Sequence, residues 1–312
     1  MLVSTLKRLA QSVPIMIGVA IVVFVTMKLI PGDPVAALLG PNSTPASRHA
    51  LTERLGLDQP LPVQFGSWAI SALHGDLGTS ISLQRAVGPL VVGAFLNTLI
   101  LLVAALLIAL VGGIVLGTLS ALRPSSVLGR FVRGFTLFTI SIPQYTVALL
   151  LLLFAVETGL LPTGGMVTTG QSGPGTVLVH LVLPAIAASI TPMGGIARLF
   201  STALSDVLHQ DFITSYRARG LAGAAVLRHA VHGTIPALLN ITGLQVSYLL
   251  GGTLFIEVIF AWPGLGQLVF QAVSSRDYPV VQAGVLLSAL VLVLVNVVVD
   301  SVHAAIDPRV RA

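Results

Sequence analysis

Apolar residues along this chain gather in about six long runs, at 9–30, 91–122, 131–161, 177–205, 235–260 and 280–306. Each is as long as the roughly 20 residues a helix needs to cross a bilayer, and several are longer, which predicts tilt or ends projecting into water. The segments between them carry most of the charges and most of the glycine and proline. The pattern predicts an all-α polytopic membrane protein with about six transmembrane helices in one domain over 1–312. Prolines 143, 184 and 192 fall inside the third and fourth runs and predict helix breaks or kinks there. Gly113 and Gly117, four residues apart, predict a close helix contact. The first run follows Lys7-Arg8 and leads into Pro31-Gly-Asp-Pro34 rather than a small-residue cleavage site, so it reads as a retained helix.

Two linking segments stand out by length. Residues 31–90 form a mixed outer loop with Phe65 and Trp68 in short amphipathic stretches. Residues 206–234 form an inner loop of short helices broken at Gly220 and Gly223. The side assignments come from the basic residues. Lys7, Arg8, Arg123, Arg130, Arg133, Arg198, Arg217, Arg219, Arg228, Arg309 and Arg311 fall on one side, and Arg48, Arg54, Arg85 and Arg276 on the other. The excess marks the cytoplasmic side and predicts both termini inside. Lys28, near the outer end of the first run, is placed to snorkel.

Composition agrees. The chain is 55% hydrophobic and only 9% charged, against about 25% charge in soluble domains, so its solvent is lipid. The net charge of +5 is scattered over short loops and forms no continuous patch, which argues against nucleic acid. With no cysteine, the chain holds no disulfide, thiolate metal site or cysteine nucleophile.

Catalytic chemistry is sparse. The two lysines, Lys7 and Lys28, are followed by arginine and leucine, so there is no Gly-Lys-Ser/Thr phosphate loop. His229 and His232 share a helix spacing without a carboxylate beside them, and a polar helix surface outweighs a metal site. Gly170-Gln-Ser-Gly173 resembles the serine motif of rhomboid intramembrane proteases, with His180 nearby. However, Ser172 precedes Pro174 and Gly175 in an outer segment, and so short a pattern recurs by chance. Glu257, Asp300 and Arg198 lie near span ends and Asn296 lies deeper. They read as boundary residues or partners of neighbouring helices rather than as the midplane acids of an ion-coupled carrier. No catalytic or metal residue is assigned.

The segment Phe260-Ala-Trp-Pro-Gly-Leu-Gly266, with its neighbour Glu257, is a shaped turn. It joins a series of motifs along the chain: Leu29-Ile-Pro-Gly-Asp-Pro34, Leu55-Gly-Leu-Asp-Gln-Pro-Leu-Pro62, Gly75-Asp-Leu-Gly-Thr-Ser80, Asn97-Thr98, Ser141-Ile-Pro143, Arg276-Asp-Tyr-Pro-Val-Val-Gln282 and Asp307-Pro-Arg309. In this order and spacing the chain resembles the inner-membrane permeases of bacterial peptide-type ABC importers, for dipeptides and oligopeptides, and among them the first of the two permeases.

The resemblance implies the type I importer fold and a multi-pass place in the bacterial inner membrane. It implies a non-catalytic half of a translocation pathway, paired with a second homologous permease. It further implies two ATP-binding cassette subunits, or one fused ATPase, that carry ATP and Mg²⁺, and an extracytoplasmic binding protein that delivers the cargo. No cofactor is implied in this chain.

The family's ATPase-coupling loop corresponds to Thr214, Ser215, Tyr216, Arg217, Ala218, Arg219, Gly220 and Leu221. Ser215 and Tyr216 depart from its usual small pair, and Gly233-Thr-Ile-Pro236 is a looser version of the family's next stretch. Tyr216 and Leu221 are the candidate apolar anchors, and Arg217 and Arg219 the candidate ion-pairing groups. Gly32, Asp33, Pro34, Trp262, Pro263 and Gly264 are candidate outer turns near the binding protein, with turn and cap chemistry the larger part of their role. Asp76 and Arg85 are further candidates there. Related permeases carry nickel, glutathione or haem. A secondary carrier and an intramembrane protease are the remaining alternatives.

Overall fold

The computed structural model describes residues 2–29, 35, 39, 44–54, 56, 58–168, 170 and 173–306. Its named helices are α1 (Leu2–Leu29), α2 (Pro45–Arg54), α3 (Leu61–Leu73), α4 (Val87–Leu122), α5 (Val127–Ser141), α6 (Gln144–Thr158), α7 (Pro174–Leu208), α8 (Asp211–Ala218), α9 (Gly223–Gly233), α10 (Ile235–Ile259), α11 (Leu265–Ser274) and α12 (Tyr278–Ile306). Five are long and apolar enough to cross a membrane: α1 over Ala10–Leu29, α4, α7, α10, and α12 over Tyr278–Val299. The pair α5–α6 makes a sixth span if taken as one. Helix α4 has 36 residues, about 54 Å at 1.5 Å per residue, so it outreaches a hydrocarbon core of about 30 Å.

The third apolar run is not one through-going helix. It bends by 100° between α5 and α6. Pro143 disfavours helical geometry at the residue before it, and Ile142 is extended at φ −87° and ψ 129°. By contrast, α7 runs through Pro184 and Pro192 without interruption. Among the spans it has the largest buried share, so its neighbours hold the helix where two backbone donors are missing.

The chain divides into two compact units. One is drawn from Met1–Leu6, Asn97–Gln267 and Leu292–Ala312, the other from Lys7–Leu96 and Leu268–Val291. In the first, α7 is the hub, packed by α5, α6, α9 and α10. Small residues set the approach of its neighbours. A Cβ on Gly113 of α4 would lie 2.6 Å from Ile196, and one on Gly117 would lie 2.8 Å from the Ala197 carbonyl. The spacing read from the sequence therefore marks a real helix contact, of the kind that lets membrane helices pack closely. Large apolar side chains such as Val103, Leu107, Val111 and Val115 of α4 remain exposed, as expected of a surface solvated by acyl chains.

The second unit holds the outer segment. Phe65 and Trp68 of α3 pack on Phe24 of α1, with ring centroids 5.4 and 5.8 Å away. The Lys28 amine donates to Gln64 Oε1 at 2.5 Å, so a helix of the outer segment receives the charge placed there to snorkel.

Candidate functional site

The inner loop folds as a helix pair. After α7, the His209 ring contacts the Ser205 carbonyl (2.7 Å) and the chain turns into α8. Asp211 opens that helix and Arg217 lies in its last turn, the charge order the helix dipole favours. The amides of Gly220 and Leu221 bond back to the carbonyls of Arg217 and Tyr216. Gly220 has φ +76°, a left-handed conformation that glycine adopts without Cβ strain. The break spans Arg219 to Ala222, and Gly223 begins α9 rather than interrupting it.

A small core holds the pair in place. Ile213 of α8 and Val226 and Ala230 of α9 are buried against Phe200 and Leu204 of α7. Tyr216 and Leu221 pack against the same cluster and are half-buried. The Tyr216 ring lies 4.8 Å from the His229 ring and 5.8 Å from Phe212. Tyr216 and Leu221, the candidate apolar anchors, thus give part of their surface to packing within the chain. Thr214, Ser215, Arg217, Ala218, Arg219 and Gly220 form the exposed face instead, with Phe212 its one large apolar residue at 38% exposed. Ile213 and Tyr216, three apart on one helix, already carried this signal in the sequence.

The turn after α10 is built in the opposite way. Glu257 and Trp262 are fully buried. Glu257 Oε1 accepts from the Thr98 hydroxyl (2.7 Å) and Oε2 from the Gln267 amide (3.1 Å). The same hydroxyl accepts from the Leu265 amide at 2.8 Å. Trp262 Nε1 donates to the Asn97 carbonyl (2.9 Å), and Asn97 Nδ2 donates to the Pro263 carbonyl (2.8 Å). A Cβ on Gly264 would sit 2.3 Å from the Glu257 carboxyl carbon, so only glycine fits. Of the outer-turn candidates here, Pro263 is exposed while Trp262 and Gly264 are buried. Gly32, Asp33 and Pro34 lie outside the described residues.

A second carboxylate clamp lies within the other unit, and sequence reading passed over it. Asp277 is 1% exposed and accepts from the Ser80 hydroxyl (2.5 Å), the Ile81 amide (3.1 Å), the Ser82 amide (3.0 Å) and the Ser82 hydroxyl (2.7 Å). Burial pushes its carboxyl upward, but these hydrogen bonds outweigh it and hold the group below the usual carboxylate range. Asp76 caps the Gly78 amide at 3.0 Å, and the Arg85 carbonyl accepts from the Ser80 amide at 2.8 Å. Both therefore serve the folding of the loop at 76–86.

His180 is also structural. Its ring nitrogens meet the Gly164 carbonyl and the Thr168 hydroxyl, each at 3.0 Å, which ties the 159–168 segment to α7. Ser172 lies outside the described residues, as does the side chain of Asp300. Asn296 accepts from the Ser247 hydroxyl (3.1 Å), a bond between α12 and α10.

Residues 113–312 match the family described as binding-protein-dependent transport system inner membrane component, and residues 1–105 match its N-terminal counterpart. A putative peptide transport system permease protein of Brucella abortus is 37% identical over 98% of both chains. A dipeptide transport system permease protein of Alkalihalophilus pseudofirmus is 34% identical over the full length of both. A glutathione transport system permease protein of Salmonella paratyphi A is 36% identical over 100% of this chain and 99% of that one. Among solved structures, a chain of the MetNI methionine ABC transporter in an inward-facing conformation is similar, with a TM-score of 0.57 and 21% identity. It covers 70% of this chain and 96% of that one, a likeness of fold. Six apolar runs, a docked inner helix pair and these full-length relatives converge: the chain belongs to the binding-protein-dependent transport system inner membrane components, the permease subunits of ABC importers.

Proposed function

We propose that this permease forms one half of a translocation pathway for short peptides, beside a second homologous permease. Two ATP-binding cassette subunits, or one fused ATPase, bind ATP and Mg²⁺ on the cytoplasmic side, and an extracytoplasmic binding protein delivers the cargo. The observation that carries this reading is the α8–α9 pair. Ile213, Val226 and Ala230 are buried in its own chain, while Phe212, Thr214, Ser215, Arg217, Ala218, Arg219 and Gly220 are presented outward. A rigid, polar-faced helix on a private core suits transmission of motion from a soluble ATPase, with Phe212 as the apolar contact and the two arginines as ion-pairing groups. The full-length likeness to permeases named for peptides and dipeptides supports the cargo class.

The glutathione permease among the relatives supports a second reading. Glutathione is itself a peptide, with the same carboxylates, amides and ammonium, so the two readings differ in cargo shape rather than chemistry. The test is uptake into proteoliposomes that hold this chain with its partner permease, ATPase and binding protein. ATP-dependent accumulation of labelled dipeptide or oligopeptide, competed weakly by glutathione, is expected. Accumulation of glutathione alone would select the second reading. Transport by this chain without ATP or partners would overturn both.

A further inference from the structure

We propose that a cleft between α4, α5 and α7 binds a phosphate oxyanion on the cytoplasmic side, presented by an anionic lipid headgroup. The cleft, of about 180 Å³, is lined by Ser120 of α4, by Arg133, Thr136 and Leu137 of α5, and by Ala197, Arg198, Ser201 and Thr202 of α7. It lies wholly within one compact unit.

Two guanidinium groups meet there. Arg133 donates from Nη2 to the Pro124 carbonyl, which fixes it beside the α4–α5 turn and leaves its other donors free. The Arg198 guanidinium has no partner among the described residues. The hydroxyls separate into two kinds. Thr136 and Thr202 give their protons to the carbonyls of Val132 and Arg198, so they offer only lone pairs. Ser120 and Ser201 have no such bond among the described residues and remain able to donate. Two arginine forks with two hydroxyl donors, and no carboxylate in the lining, are a donor set for an oxyanion.

Position and surroundings select a lipid source. Arg133 lies in the second turn of α5, after Arg123 in the connecting turn and Arg130 in the first helical turn, and α7 leads from Arg198 into the basic inner loop. By charge bias this is the cytoplasmic end, and basic pockets between helices on that side bind anionic headgroups. Leu137, one turn after Arg133 and part of the cleft lining, is 56% exposed, and Phe131 and Phe138 further round α5 are 69% and 62% exposed, an apolar helix surface for acyl chains beside the cleft. The inference does not depend on the cargo.

The test is native mass spectrometry of the full-length chain in mild detergent, titrated with phosphatidylglycerol, with phosphatidylcholine, and with phosphatidylglycerol plus inorganic phosphate. Phosphatidylglycerol is expected to bind about tenfold more tightly than phosphatidylcholine, and Arg133→Gln with Arg198→Gln to remove that preference. Retention of the lipid in millimolar inorganic phosphate assigns the headgroup as the source. Displacement by phosphate keeps the oxyanion site and assigns free phosphate instead. No preference in the wild-type chain, or an undiminished preference in the double variant, overturns the proposal. Should the double variant not be recovered, Arg133→Lys with Arg198→Lys keeps charge but loses the forks. A weakened preference is then expected, and an unchanged one overturns the site.

Discussion

The turn after α10 and the α8–α9 pair are both rich in glycine and polar groups, yet they spend those groups in opposite ways. In the turn, Glu257, Thr98, Asn97 and Trp262 satisfy one another and the backbone, and the central side chains are buried. In the helix pair, Ile213, Val226 and Ala230 are buried and the polar residues face out with few bonds to the chain itself. A site whose polar groups are closed on themselves holds shape; a site that leaves them open is available to a partner. Both segments carry the family likeness, so the likeness alone does not separate the two roles. The hydrogen bonds do.

The largest effects are expected where polar groups are closed. Glu257→Ala leaves the Thr98 hydroxyl and the Gln267 amide without their acceptor, at a cost of about 2–4 kcal/mol. Trp262→Ala opens a cavity and orphans the Asn97 carbonyl, at about 3–5 kcal/mol. Both variants should fall sharply in membrane abundance and in thermal unfolding midpoint in detergent. Wild-type midpoints would mean that the turn faces a partner rather than holding the fold.

Next come substitutions on the open face. Arg217→Glu and Arg219→Glu should leave stability within about 0.5 kcal/mol of wild type, because both are exposed. ATPase association should fall about tenfold and with it ATP-driven uptake. Gly220→Asp should uncouple transport while the protein stays in the membrane, with a modest strain of about 1–2 kcal/mol at φ +76°. Co-purification of the ATPase with each variant, beside the melting curve, separates the two kinds of damage. Normal association and normal uptake in all three would remove the helix pair from the coupling role.

A smaller effect tests Tyr216, a candidate anchor that is half-buried against its own chain. Tyr216→Ala should lower stability by about 1–3 kcal/mol through lost packing against His229 and the Phe200–Leu204 core. Residual ATPase association, measured below the melting transition, should remain near normal. Were Tyr216 an outward anchor, association would fall and stability would not.

The spans were legible because a run of 20 apolar residues has few alternatives, and the inner loop because its polarity interrupts two such runs. Pro143 announced a break, but the 100° bend depends on what packs on either side, which no local pattern contains. Asn97-Thr98 and Phe260–Gly266 were each visible as motifs. That they bind each other rests on a contact across about 160 residues. The partial burial of Tyr216 was readable from its spacing to Ile213, but the resemblance of the loop cast its ring as an anchor. Asp277 was passed over because its four donors come from residues almost 200 positions earlier.

Asp277 extends the contrast to pH. Its folded-state carboxyl is held below the ordinary range, so it contributes stability while ionised. That contribution is fully present above the ordinary carboxylate value and is lost as pH falls through the depressed folded value. The unfolding midpoint in detergent should therefore lose this contribution only on the acid side, and Asp277→Asn should flatten that part of the profile while lowering the neutral plateau. Arg217→Gln on the open face of α8 neither adds nor removes a carboxylate, so it should leave the acid limb almost unchanged. An acid limb identical in wild type and Asp277→Asn would mean that the Ser80–Ser82 loop is held by its backbone turn alone. The carboxylate would then be incidental to the fold, unlike Glu257.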